Sequence, residues 1–166
     1  MALLINGYLS KEELENLPGI PSRERMEKGV VAVIECAQEI PCNPCVDACK
    51  YGAIVIPGSL TELPILIEDK CIGCGSCLAI CPGQAIFLVD VTYSETEAMV
   101  RVPYEYVPLP KPGEIVDGLN RAGETVCQAE VKRVANSKIN DRTPLVTLIV
   151  PKHLAMEVRS LRLKIQ

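Results

Sequence analysis

The run CIGCGSCLAICP, Cys71 to Pro82, sets its four cysteines at C-x2-C-x2-C-x3-C-P spacing without a flaw. Three thiolates this close can each take one iron corner of a cubane, while the fourth points away to serve a second cluster. Gly73 and Gly75 allow tight turns that bring backbone N–H groups near the sulfurs, and such donors stabilise a reduced, more negative cluster.

A second cysteine group lies upstream in ECAQEIPCNPCVDACKYG, Glu35 to Gly52. Shifting the chain by 32 residues lays Cys42, Cys45 and Cys49 on Cys74, Cys77 and Cys81, and AIVI (53–56) on AIFL (85–88). Each half reads as a cysteine loop, a short turn of helix and a strand. The repeat departs from itself twice. The counterpart of Cys71 is Glu39, and the nearest cysteine, Cys36, lies three residues earlier, so five residues separate Cys36 from Cys42. Loop-closure entropy grows only logarithmically with length, so the insertion reshapes the site without removing a ligand. Lys50 stands where the second half has Pro82. A solvent-facing side chain is the expectation there, although an ammonium beside a cluster would favour the reduced state.

Other uses of these cysteines fit less well. Two zinc sites of four thiolates would each be closed by two cysteine pairs with a longer insert between them. A disulfide framework needs an oxidising compartment, and the N-terminus MALLINGYLSKEELENL has no basic leader followed by an apolar core. A reducing cytoplasm is therefore expected. Cys127 belongs to neither group and alternates with polar neighbours on a strand pattern, as a small core residue does.

Length and composition narrow the remaining choices. The 166 residues suffice for one domain or two small ones, and a 48% apolar content supports real cores. With no Trp and a single Phe, those cores must be built from Val, Ile, Leu and Ala. The formal charge is −4, and two oxidised clusters on eight thiolates would take it to about −8, a sign that argues against a nucleic-acid partner. No apolar run is long enough to span a bilayer. His153 has no ligand-spaced companion, and no phosphate loop, Ser-His-Asp set or flavin fingerprint occurs. No catalytic residue is therefore assigned.

Along the rest of the chain, residues 1–29 suggest two short helices with Ser10 and Ser22 as N-caps, forming either a packing arm or a docking arm. VVAVIEC from Val30 suits a strand leading to Cys36, and ILIEDK a strand delivering Cys71. VTYSETEAMVRVPYEYV reads as strand, turn and strand, EIVDGLNRAGETVCQAEVKRV as two strands around Asn120 to Gly123, and PLVTLIV as a buried strand. PKHLAMEVRSLRL fits a terminal helix with Leu154, Val158 and Leu161 on one face.

Over about residues 30–93 these motifs resemble the bacterial two-cluster 4Fe-4S ferredoxin family, in which each cluster takes three ligands from one motif and the fourth from the other. The resemblance implies one cluster held by Cys36, Cys42, Cys45 and Cys81, and another by Cys71, Cys74, Cys77 and Cys49. The expected architecture is α+β: a helical N-terminal segment (1–29), a ferredoxin-like pseudo-symmetric two-cluster domain (30–93), and a small β-rich, barrel-like C-terminal domain with a terminal helix (94–166).

The wider run ECAQEIPCNPCVDACKYGAI, the CIGCGSCLAICPGQAI half and the β-rich tail look like the iron-sulfur subunits that accompany FAD-dependent amino-acid or amine dehydrogenases, the group related to proline dehydrogenase, opine oxidase and hydrogen cyanide synthase. That resemblance implies a non-catalytic electron-transfer subunit relaying single electrons between a flavoprotein (FAD or FMN) subunit and another carrier, such as a further iron-sulfur protein. Two other classes stay open: a stand-alone soluble carrier, and a binding or regulatory module whose clusters are structural.

Overall fold

The structure is a computed structural model that describes residues 2–138 and 143–164. The N-terminal segment forms three short helices, α1 (Ala2–Asn6), α2 (Lys11–Glu15) and α3 (Arg23–Met26). Two were expected from their caps, and both caps are present. The Ser10 side chain accepts from the Glu13 amide at 3.2 Å while Glu13 accepts from the Ser10 amide at 2.9 Å, a reciprocal capping box. The Ser22 hydroxyl accepts from the Arg25 amide at 3.1 Å.

The cysteine-bearing region is built from two strand–helix–strand halves. The first runs β1 (Val31–Ile34), α4 (Pro44–Ala48) and β2 (Ile54–Val55), and the second β3 (Ile65–Leu66), α5 (Ser76–Ile80) and β4 (Ile86–Asp90). Pairing crosses between the halves: β1 lies antiparallel to β4 with Val33 opposite Phe87, and β2 lies antiparallel to β3 with Ile54 opposite Leu66. The helices α4 and α5 pack against each other.

β4 also pairs on its other side with β5 (Glu97–Pro103), so the sheet continues past residue 93. β6 (Ile115–Leu119), β7 (Thr125–Ala135), β8 (Leu145–Pro151) and β9 (Ser160–Arg162) complete one antiparallel sheet in the order β1-β4-β5-β8-β7-β6-β9. This placement explains why β1 is apolar throughout and β4 is apolar from Ile86 to Val89 instead of alternating. Side chains on a strand point to opposite faces, and here both faces are covered. Ile34, Ile86 and Leu88 face a core shared with the cysteine loops, while Val33, Phe87 and Val89 face a second core with Val100, Val116, Val131, Leu148 and Leu161. Residues from β1 and β9 share that second core, so the sheet curls around it, although its two end strands are not paired among the described residues.

The terminal helix expected over 151–163 is not formed. Pro151 closes β8, Lys152–Leu154 make a single 3-10 turn, and β9 adds to the free edge of β6 with Leu161 opposite Gly118. The three- and four-residue spacing of Leu154, Val158 and Leu161 imitates a helical stripe. Pairing along an open sheet edge satisfies the backbone and still buries Val158 and Leu161, so tertiary context overrides the local pattern. Val91 to Tyr93, read as a strand, lie in the turn between β4 and β5.

Candidate metal centres

The positions of the cysteines follow from α4 and α5. Cys45 and Cys77 sit inside these helices, and Cys49 and Cys81 form their C-caps one turn later. Positions four apart share one side of a helix, yet Cys49 and Cys81 lie where the helix ends, so each can turn toward the other half. One hollow is lined by Cys49, Cys71, Cys74 and Cys77 together with Ala32, Ile54, Lys70 and Leu88. Another is lined by Cys36, Cys42, Cys45 and Cys81 together with Ile34, Ile86 and Pro64. Each hollow thus gathers three cysteines from one half and one from the other.

The electrostatics follow the same grouping. Burial pushes the Cys77 thiol up to about 12, reinforced by Cys71, Cys74 and Cys49. Burial likewise pushes Cys45 up to about 11, reinforced by Cys81, Cys42 and Cys36. Cys77 and Cys45, each buried beside three further cysteines, resist ionisation until a cation core compensates them, so loading a metal group on them releases protons.

Backbone donors meet these sulfurs in related ways. The Ala53 amide donates to Cys49 Sγ at 3.3 Å and the Ala85 amide to Cys81 Sγ at 3.4 Å, two bonds related by the 32-residue repeat. The Ala32 amide, from β1, donates to Cys71 Sγ at 3.4 Å. Gly73 adopts φ +68° and Gly75 φ +90°, and a Cβ on Gly73 would run into the Val30 side chain. An all-thiolate donor set with amide donors and apolar walls fits an iron-sulfur cluster. No three His, Cys, Asp or Glu side chains among the described residues converge on a point that could hold a single metal ion.

The two departures from the repeat have structural counterparts. The inserted loop between Cys36 and Cys42 is tied to the loop before β3 by the Cys42 amide donating to the Leu60 carbonyl at 3.2 Å. Ile40 and Leu60 are both exposed there, and Glu62 lines the hollow. Lys50 is exposed. Cys127 is half-buried beside Gly118 at the margin of the second core, and burial raises its thiol pKa.

Two charged features beside the hollows are missed by motif reading. Glu35, next to Cys36, has a side chain only 6% exposed and pairs with Arg121 at 2.5 Å and Arg159 at 2.7 Å. Burial works against its ionisation, but the two guanidinium groups hold its carboxyl below the usual range. Arg159 also lies over the Phe87 ring at 4.9 Å, and its burial lowers its pKa to about 10. An acid at the end of the apolar run VVAVI was the available signal. Arg25 is 9% exposed and donates to the carbonyls of Glu68, Gly29, Val30 and Cys71, at 3.0, 3.2, 3.1 and 2.5 Å. Nothing in its own stretch, SRERMEKG, marks it as buried.

The chain is similar to known iron-sulfur proteins over part of its length. The family model of the 4Fe-4S binding domain matches residues 64–87, which hold Cys71, Cys74, Cys77 and Cys81. A subunit of an ion-translocating oxidoreductase complex from Methanosarcina acetivorans is 43% identical over 61 residues, covering 37% of this chain and 22% of the relative. The polyferredoxin-like subunit of an aliphatic sulfonate oxidoreductase from Pyrococcus furiosus is 41% identical over 49 residues, covering 30% and 27%. A ferredoxin-type protein NapF from Escherichia coli is 39% identical over 51 residues, covering 30% and 31%. The chain therefore spans a third or less of the length of these curated relatives. No solved structure matches. On the donor chemistry and the matched motif together, the chain carries a 4Fe-4S binding region at residues 64–87.

Proposed function

We propose that this chain is an electron-transfer iron-sulfur subunit of an oxidoreductase, with a ferredoxin-like two-cluster region. One 4Fe-4S cluster is held by Cys36, Cys42, Cys45 and Cys81, and the other by Cys49, Cys71, Cys74 and Cys77. The observation that carries this reading is the gathering of eight cysteines into two hollows of four, each drawing on both halves of the repeat. When bound, such a cluster accepts and returns one electron at a time. The chain's own residues supply the thiolates, donate N–H bonds to the sulfurs, and line the hollows with Ile34, Ile54, Ile86 and Leu88 to limit water.

The names of the relatives support an oxidoreductase complex as the setting, since two are called subunits. Within that setting the proposed neighbour is a flavin-containing subunit of an amino-acid or amine dehydrogenase, which passes electrons singly to the clusters and on to another carrier. The inserted loop at 37–41, with exposed Ile40 beside Leu60, is the proposed face for a redox partner.

Purification of the native protein from its own cells tests the setting. Co-elution with a flavin-containing chain, and reduction of the clusters on adding an amino acid or amine, is the expected result. A lone brown monomer that exchanges electrons freely with soluble acceptors would favour a stand-alone carrier.

A further inference from the structure

Lys70 lines the hollow of Cys49, Cys71, Cys74 and Cys77, and two arginines without an anionic partner stand behind its cysteine loop, Arg25 at Cys71 and Arg101 at Gly75. Arg25 gives its hydrogen bonds to four neutral carbonyls, one of them that of Cys71. The Glu68 carboxylate nearby is engaged by the amide and hydroxyl of Ser22, at 2.6 and 2.8 Å. Arg101 projects from β5 toward the cysteine loop, its Nη1 lying 3.2 Å from where a Cβ on Gly75 would stand, while its Nε donates to Thr147 Oγ1 at 3.2 Å. Asp90 shares a hollow with Arg101, but its carboxylate accepts from the amide and hydroxyl of Thr92, at 2.9 and 2.6 Å. Among the described residues, neither arginine has a carboxylate oxygen within 4.0 Å.

Arg25 is buried and Arg101 half-buried, and holding a guanidinium away from water without an anion is unfavourable, so the fold leaves a negative charge to be supplied at this place. A 4Fe-4S core on four thiolates is such a charge: about −2 when oxidised and about −3 after gaining one electron. The other hollow is surrounded differently. Beside Cys36, Arg121 and Arg159 are already paired with Glu35, and Arg121 lies 3.6 Å from Glu157. Glu62 lines that hollow and Glu39 stands in its loop.

We propose that Arg25 and Arg101 are the counter-charges of the cluster at Cys49, Cys71, Cys74 and Cys77, and that they make it the more readily reduced of the two. The inference rests on the two-cluster reading above. A fixed positive charge favours the state with the extra electron, so an electron entering at the Cys36 side comes to rest at the Cys71 side. The reaction is a one-electron reduction of the cluster by a partner flavin or, in the test, by dithionite. The added charge is met by guanidinium groups already in place.

The test is a reductive titration of the anaerobic full-length protein followed by EPR, after iron and sulfide counts establish that both clusters are loaded. A short iron count in the unmodified protein overturns the two-cluster reading itself. With both clusters present, two reduction steps are expected. Arg101→Gln should move the higher-potential step to lower potential and leave the other in place, and Arg101→Lys should restore it. Met99→Glu is a second route, since Met99 and Arg101 are two apart on β5 and line the same hollow. A carboxylate there neutralises the arginine without removing it and should lower the same step. If Arg101→Gln loses iron, the Met99 variant decides alone. A single unresolved step, a shift confined to the lower-potential step, or no shift in any loaded variant overturns the proposal.

Discussion

The two cysteine hollows are made from the same motif and are bordered by different parts of the chain. The Cys71 hollow is held against the sheet, with Ala32 of β1 donating to its sulfur, Leu88 of β4 in its wall, and two unpaired arginines behind its cysteine loop. The Cys36 hollow opens toward two loops, 37–41 and 57–64, and its cationic neighbours are neutralised by Glu35. The repeated residues thus group the thiols, while the residues that do not repeat decide what surrounds them. A half-motif with an insertion is, on this view, a site with a different neighbourhood and an intact set of four cysteines.

Removing one cysteine from each hollow should have the largest effect. Cys77→Ala and Cys45→Ala should each lower the iron content by about half, to about four per chain, and leave the EPR signal of the other hollow. Loss of all iron in either variant would show that the hollows are not independent.

Next in size is the ion-pair triad beside Cys36. Glu35→Ala leaves Arg121 and Arg159 buried without their shared anion, and should destabilise the fold by about 3–5 kcal/mol, read from chemical denaturation of the loaded protein. Because the folded-state pKa of Glu35 is depressed, its contribution is complete above the ordinary carboxylate value of 4.5 and is lost as the pH falls below it. Denaturation midpoints of wild type and Glu35→Ala should therefore converge toward acid pH. A constant gap across that range would mean that the carboxylate charge is not what holds the arginines.

A smaller effect is expected at Gly73, where φ is +68° and a side chain would meet Val30. Gly73→Ala should cost about 1–3 kcal/mol and perturb the Cys71 cluster spectrum but not its neighbour. Gly52, with φ +61° and open space around it, should tolerate the same change better despite the shared conformation. The smallest effect is expected at a residue that lines neither hollow: Ser10→Ala removes a capping box and should cost about 1 kcal/mol with no change in either cluster signal.

Much of the cysteine region was legible because ligand spacing is a local property. The C-x2-C-x2-C-x3-C run and its shifted copy can be read without knowing any strand partner, and the helix caps at Ser10 and Ser22 are equally local. What was not legible depends on pairing at a distance. Nothing in IFLVD shows that β4 carries β1 on one side and β5 on the other, which joins the cysteine region and the tail in one sheet. The stripe of Leu154, Val158 and Leu161 is compatible with a helix until the open edge of β6 is known. Arg101 pairs with Leu88 across the sheet and points at a glycine 26 positions earlier, so its place beside a thiolate hollow exists only in the folded chain. Glu35 is the intermediate case: an acid closing an apolar run signals a buried partner, but not which arginines supply it.

Whether the two four-cysteine hollows hold two cubanes is decided by counting iron and acid-labile sulfide in the anaerobically purified protein, with EPR after dithionite reduction. About eight irons and eight sulfides per chain, with the reduced signals of two neighbouring clusters, is the expected result. About four irons with a single isolated signal, or zinc in place of iron, would contradict it.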